Sequence, residues 1–276
     1  MRLNIYANNV TSQNGEDGII QYIIKNLSSI PKVCLDIGAW DGKFLSNTYS
    51  LWHDSDWKGI LIEADKEKFK SIRKSYSTFD ILVFNQFITP RGKNSIDSLF
   101  KVNKIDPKIG LISIDIDSHD YHLWKHMEYV RPVIVVIEHN PTIPAYVEYH
   151  DPEDEVYLLC SAKSLEKLGR EKGYRLICCT SLNCIFIKDE FFNGNVFPDM
   201  PVEYFFDYSN CSALELYTMQ GPEYVQSPAF YKKPRKLQVI YSVFRYIFEP
   251  IFQRKKRKRP SKSLREHCKK FGIHIY

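Results

Sequence analysis

Residues 33–43 read Val33-Cys34-Leu35-Asp36-Ile37-Gly38-Ala39-Trp40-Asp41-Gly42-Lys43. An apolar run that closes on an acid, then two glycines four residues apart, reads as a buried strand, a tight turn and a helix start. Gly38 and Gly42 are expected to let the backbone pass close under a ligand. Asp36 is expected to orient the turn or take a ligand ammonium group. A second apolar run, Trp57-Lys58-Gly59-Ile60-Leu61-Ile62-Glu63-Ala64-Asp65, closes on Glu63, 25 residues after Gly38. An acid at that point accepts both hydroxyls of a ribose in doubly wound sheets. The plainer reading, ordinary turn glycines, gives Glu63 no role at the strand end.

Working outward, apolar runs at 81–87, 111–117 and 133–138 predict three further strands. Residues 174–179 and 183–187 predict an antiparallel closing pair, which brings the sheet to seven strands. Between them, Phe44 to Trp52, Lys66 to Tyr76, a short segment from Ser95, Tyr121 to Tyr129, and Leu158 to Lys172 before Gly173 predict helices. Ile19, Ile20, Ile23, Ile24 and Leu27 recur at helical spacing, with Ser12 or Asn14 as the expected cap. A cap needs one such residue, whereas residues 12–17 supply a whole polar run. Strands alternating with helices give an α/β fold, a Rossmann-like, doubly wound, mostly parallel sheet.

The glycine pattern Asp36-x-Gly38-x-x-x-Gly42 disfavours a pyrophosphate cradle and favours a nucleoside that carries an amino acid. Ser-Gln-Asn-Gly-Glu-Asp at 12–17, Asp-Ile-Gly-Ala-Trp-Asp-Gly at 36–42, Ser-Asn-Thr-Tyr at 46–49, the run at 57–65, Ser-Ile-Asp-Ile-Asp at 113–117 and Val-Ile-Glu-His-Asn-Pro at 136–141 together resemble the FkbM-like class I S-adenosylmethionine-dependent methyltransferases. The resemblance covers about residues 10–190. It implies S-adenosylmethionine as cofactor and a hydroxyl of a saccharide, polysaccharide or small natural product as acceptor. The implied cofactor contacts are Gln13, Glu16, Asp36, Gly38, Ala39, Asp41, Gly42, Glu63, Ala64 and Asp115. The stretch Asp115-Ile116-Asp117-Ser118-His119-Asp120 departs from the family's Asp-x-Glu-Gly pattern.

Asp36, Glu63, Asp115, Asp117, Glu138, His139 and Asn140 all fall at predicted strand ends, where such sheets bind ligands. Asp115 and Asp117 share one face of the predicted strand because its side-chain period is two. So many acids at one edge call for a cation, either the sulfonium or a divalent metal. Asp117 (or Asp115), Glu138 and Asn140 offer the oxygen ligands that suit Mg2+ or Mn2+. A sugar hydroxyl must also lose its proton, so Asp117, His119 and His139 are the expected catalytic residues, with Asp120 and His122 behind them.

Charge divides the chain. Residues 232–276 hold 15 basic and two acidic residues, leaving 23 basic and 31 acidic in the rest. Leu237 to Phe252 is apolar at helical spacing and runs into Arg254-Lys255-Lys256-Arg257-Lys258-Arg259, a membrane-surface pattern. The expected organisation is a methyltransferase domain at 1–190, an irregular aromatic-rich extension at 191–235 that could wall the acceptor site, and a basic amphipathic tail at 236–276. Residues 237–259 are expected at an anionic membrane surface. The rival reading is a nucleic-acid methyltransferase or binder anchored by that tail. The seven cysteines include no C-x-x-C pair, which disfavours a zinc ribbon or redox pair and points to a reducing compartment. No signal-peptide core opens the sequence and no apolar run reaches spanning length, so a cytoplasmic protein, peripheral at the inner face of the membrane, is expected.

Overall fold

A computed structural model describes residues 2–208 and the backbone of two later strands. Its first unit is built on seven strands: β1 (Val33–Ile37), β2 (Lys58–Glu63), β3 (Ile81–Asn85), β4 (Leu111–Ile114), β5 (Ile134–Glu138), β6 (Tyr174–Cys179) and β7 (Asn183–Lys188). Their order is β3-β2-β1-β4-β5-β7-β6, with β7 antiparallel to both of its neighbours and every other pairing parallel. This is the Rossmann-like sheet expected of the alternating runs. Chain order reverses at β1, which lies between β2 and β4, so the switch point falls where the glycine turn begins.

α1 (Glu16–Lys25) precedes the sheet, and five helices connect its strands: α2 (Tyr49–Trp52), α3 (Lys66–Ser75), α4 (Ile96–Val102), α5 (Asp120–His126) and α6 (Ala162–Glu171). Strand residues alternate between two apolar layers. Cys34, Leu61, Leu111, Val136 and Ile185 share one layer with Ile19, Ile20 and Ile23 of α1, Trp52 of α2 and Ile72 of α3. On the other layer Trp124 of α5 meets Phe186 and Tyr174. All of these side chains are buried, and at ~25 cal/mol per Å² their removal from water is the main force that holds the layers together.

Several local expectations are corrected. The helix expected from Phe44 shrinks to Tyr49–Trp52. Asp41 takes the N–H groups of Lys43 and Phe44 at 2.9 and 2.7 Å, and Leu45 is left-handed (φ 56°), which forbids a helix through 40–48. Gly15, at φ 89°, is the N-cap residue of α1, while the expected Ser12 does cap with its side chain, its Oγ accepting from the Asp17 N–H at 3.0 Å. The fourth strand stops at Ile114, before the acids. Past β7, Phe197, Val202, Phe205 and Phe206 are buried against the body, the last three on or beside α7 (Val202–Phe205). A second unit holds an antiparallel pair, β8 (Leu214–Thr218) and β9 (Pro222–Gln226), inside the stretch expected to be irregular. The expected amphipathic helix and basic run at 237–259 lie outside the described residues.

Candidate active site

Gly38 begins the turn after β1 at φ 86°. A Cβ there would stand 1.9 Å from the carbonyl oxygen of Asp115, so this glycine lets β1 and β4 close on each other. A Cβ on Gly42 (φ 85°) would meet the Tyr76 ring at 3.1 Å. Both glycines therefore answer to protein neighbours as well as to their φ, a reason the sequence did not reveal. The N–H groups of Gly38 and Ala39 donate to Ile62, which ties the turn to β2.

Glu63 ends β2 and is nearly buried. Its two oxygens accept from the Trp40 N–H and the Asp65 N–H, each at 2.7 Å. A carboxylate has about four acceptor sites, so two remain for a diol. Trp40 is exposed, left-handed (φ 51°), and covered by the Lys68 ammonium. Ala64, also exposed, accepts from Asn85 at 2.9 Å. Asp36 is buried, and its Oδ2 accepts both the Ser46 and Thr48 hydroxyls at 2.8 Å. Burial raises its pKa, and the two hydroxyls hold it back. Ser46 and Thr48 were missed as site residues, although the stretch that contains them carries part of the family resemblance.

The polar run at 12–17 is mainly architecture. Asp17 Oδ2 collects the N–H groups of Val10, Thr11 and Ser12 at 2.7–2.9 Å, and its Oδ1 takes the Ser50 hydroxyl. Glu16 is fully buried. It accepts from Thr180, Asn183 and the Asn14 N–H. The first two bonds tie the start of α1 to the β6 and β7 pair. Gln13 is exposed beside it.

The acids after β4 and β5 do converge. Carboxylate oxygens of Asp115, Asp117 and Glu138 lie within 4.8 Å of one another. The expected shared strand face is not the cause, since Asp117 is left-handed (φ 55°) in the turn beyond β4. Asp120 shapes that turn by accepting from the Ile116 N–H at 2.9 Å and the Ser118 N–H at 3.2 Å. Desolvation, then the neighbouring carboxylates, push Glu138 up to about 9. The same causes push Asp115 up to about 7, although it opens to solvent. Glu138 Oε2 is buried without a partner. None of these four acids makes an ion pair among the described residues. Asn140 follows, its amide donating to Leu158 at 3.0 Å.

His119 sits half-buried at the N-cap of α5, beside this cluster in sequence. His139, the other histidine expected to act as base, lies buried at the end of β5. Its ring is 1% exposed, lies 5.5 Å from the Phe206 ring, and is pushed down to about 4 by burial. Neither of its nitrogens has a partner among the described residues.

Neither a protein-family model nor a curated protein matches the chain. Among solved structures it is similar to an S-adenosylmethionine-dependent methyltransferase from Clostridium acetobutylicum (12% identity, 63% of this chain and 90% of that one, TM-score 0.38). It is similar also to a methyltransferase of that class from Aquifex aeolicus (12% identity, 60% and 86%, TM-score 0.34). A third likeness is to the CurJ carbon methyltransferase (9% identity, 68% and 57%, TM-score 0.45). Likeness this remote leaves the chemistry to be read from the chain's own residues.

Proposed function

We propose that the chain is an FkbM-like, S-adenosylmethionine-dependent O-methyltransferase whose acceptor is a hydroxyl of a saccharide, polysaccharide or glycolipid. One juxtaposition carries this reading. Glu63 is held by two backbone N–H groups beside the left-handed Gly38 turn, and Gly38 packs on Asp115 of the acid cluster. Glu63 takes the ribose hydroxyls with its two remaining acceptor sites. Asp36 Oδ1, which receives neither hydroxyl bond, is the acceptor for the ammonium end. Most of the rate in a displacement of this kind comes from placing the two reactants.

A divalent cation fits the cluster. Three oxygen donors converge there, one buried oxygen lacks a partner, and two carboxyls keep protons far above their ordinary range. Asp115, Asp117 and Glu138 would hold Mg2+ or Mn2+. When bound, such an ion acidifies an acceptor hydroxyl. His119, at the head of α5, is the residue that takes the acceptor's proton.

Calorimetric titration with S-adenosylhomocysteine tests the cofactor assignment. Wild type should bind, and Glu63→Ala should bind roughly 10–100-fold more weakly, the scale of a lost charge-assisted hydrogen bond. Undiminished binding by the variant, or preference for NAD, overturns it. Activity that survives chelation would remove the metal.

The basic segment at 237–259 extends the proposal to an anionic membrane surface, where six charges at roughly 1 kcal/mol each would add to a short apolar face. Flotation of the full chain with anionic vesicles, lost on truncation after Lys236, supports it. Shifting of RNA or DNA without vesicle binding favours the nucleic-acid reading.

A further inference from the structure

A second group of donors stands on α5, apart from the acid cluster. His122 and His126 are four residues apart, on one face of the helix. One nitrogen from each and a carboxylate oxygen of Glu153 lie within 4.8 Å of one another. His122 is 5% exposed. Its Nε2 lies 2.7 Å from the Asp151 carbonyl oxygen, so Nε2 carries the proton and donates it. The lone pair is then on Nδ1, which is buried and has no partner. A metal-binding histidine is usually oriented in this way, with its second nitrogen donating to a carbonyl. His126 Nε2 accepts from Arg91 Nε at 3.2 Å and stands 3.4 Å from Glu153, so its lone pair faces the guanidinium that pairs with that carboxylate. Arg91 pairs with Glu153 at 3.1 Å, and its side chain is 64% exposed. The guanidinium thus bridges two of the three donors, meeting both oxygens of Glu153 and the Nε2 of His126.

We propose that His122, His126 and Glu153 bind a zinc-class divalent ion, which displaces Arg91 into solvent. Two imidazoles and one carboxylate, with a fourth position open, suit zinc or cobalt, whereas the oxygen-only cluster suits magnesium or manganese. The ion joins α5 to the segment after β5. Asp151 folds that segment by accepting from the N–H groups of Tyr157, Leu158 and Leu159. At its other end α5 carries Asp120, which shapes the Asp117 turn. The site therefore ties α5, with the turn at its head, to the segment that Asp151 folds, and it stands whether or not the chain transfers methyl groups.

The test is titration of the full, chelator-stripped chain with Co2+, read by visible absorption and competed with Zn2+. One equivalent should bind, with the bands of a low-coordinate nitrogen–oxygen site. His126→Gln and Glu153→Gln should each weaken binding at least about tenfold. Arg91→Gln should tighten it, because the competing cation is gone. Asp117→Asn with Glu138→Gln should leave the bands in place. Bands that persist in the His126 and Glu153 variants, or vanish with the Asp117 and Glu138 pair, overturn the proposal. So does an Arg91→Gln protein that binds no more tightly than wild type.

Discussion

Replacing Glu138 by glutamine should stabilise the cation-free protein at neutral pH. Desolvation, reinforced by Asp115, Asp120 and Asp117, lifts this carboxyl from its ordinary 4.5 to about 9. Below 4.5 the folded and unfolded chains both keep the proton, and nothing is lost. Above 4.5 the unfolded chain releases it while the folded chain keeps it. Stability then falls by ~1.4 kcal/mol per pH unit until both forms are ionised above about 9. From 4.5 to neutrality this amounts to ~3 kcal/mol, and water at the partly exposed carboxyl reduces it to about 1–2 kcal/mol. The amide does not titrate, so the variant escapes that loss. Urea denaturation with EDTA, at about pH 5, 7 and 8, measures it. Wild type should weaken as pH rises, and Glu138→Gln should weaken less. Millimolar Mg2+ or Mn2+ should restore wild type, because the cation takes the proton's place, and should do little for the variant. Equal pH slopes, or equal rescue of the variant, would refute the reasoning.

Gly38→Ala should cost more than about 3 kcal/mol in thermal melts, because its Cβ meets the Asp115 carbonyl. Gly92→Ala is the control: its φ is 80° but nothing lies within 4 Å, so about 1 kcal/mol of backbone cost is expected there. Asp17→Ala releases three backbone N–H groups and Ser50, and should cost about 2–4 kcal/mol, seen as new proteolysis between residues 8 and 14. Thr48→Val removes one of the two hydroxyls on the buried Asp36 carboxylate. It should cost about 1–2 kcal/mol in urea and weaken S-adenosylhomocysteine binding in calorimetry.

What the sequence disclosed, it disclosed through periodicity. Buried parallel strands are short apolar runs, so β1, β2 and β5 were legible at once, and Glu63 with them. Features set by distant partners were hidden. The bonds that fix Glu16 come from Thr180 and Asn183, 164 and 167 residues away. The burial of His139 is owed in part to Phe206, from a stretch with no period, which packs beside it. Asp115 and Asp117 do meet Glu138, but through a left-handed turn held by Asp120 rather than through strand alternation. Helix propensity from Phe44 onward lost to local side-chain bonds from Asp36 and Asp41, which take the loop's hydroxyls and N–H groups.

The position of β7 sets an order of events during synthesis. It enters between β5 and β6, so β5 keeps an open outer edge until Lys188 has left the ribosome. Until then Ile134–Glu138 pairs with β4 alone and its outer side is an unpaired apolar edge, the kind that invites aggregation. Glu16, made among the first residues, must wait for Thr180 and Asn183, among the last of this unit. A nascent chain arrested at Gly173 should therefore remain protease-sensitive from α1 to β5, and one arrested past 208 should not. The first α-helix to emerge waits for the last strands of the sheet, and this unit commits to its fold as a whole.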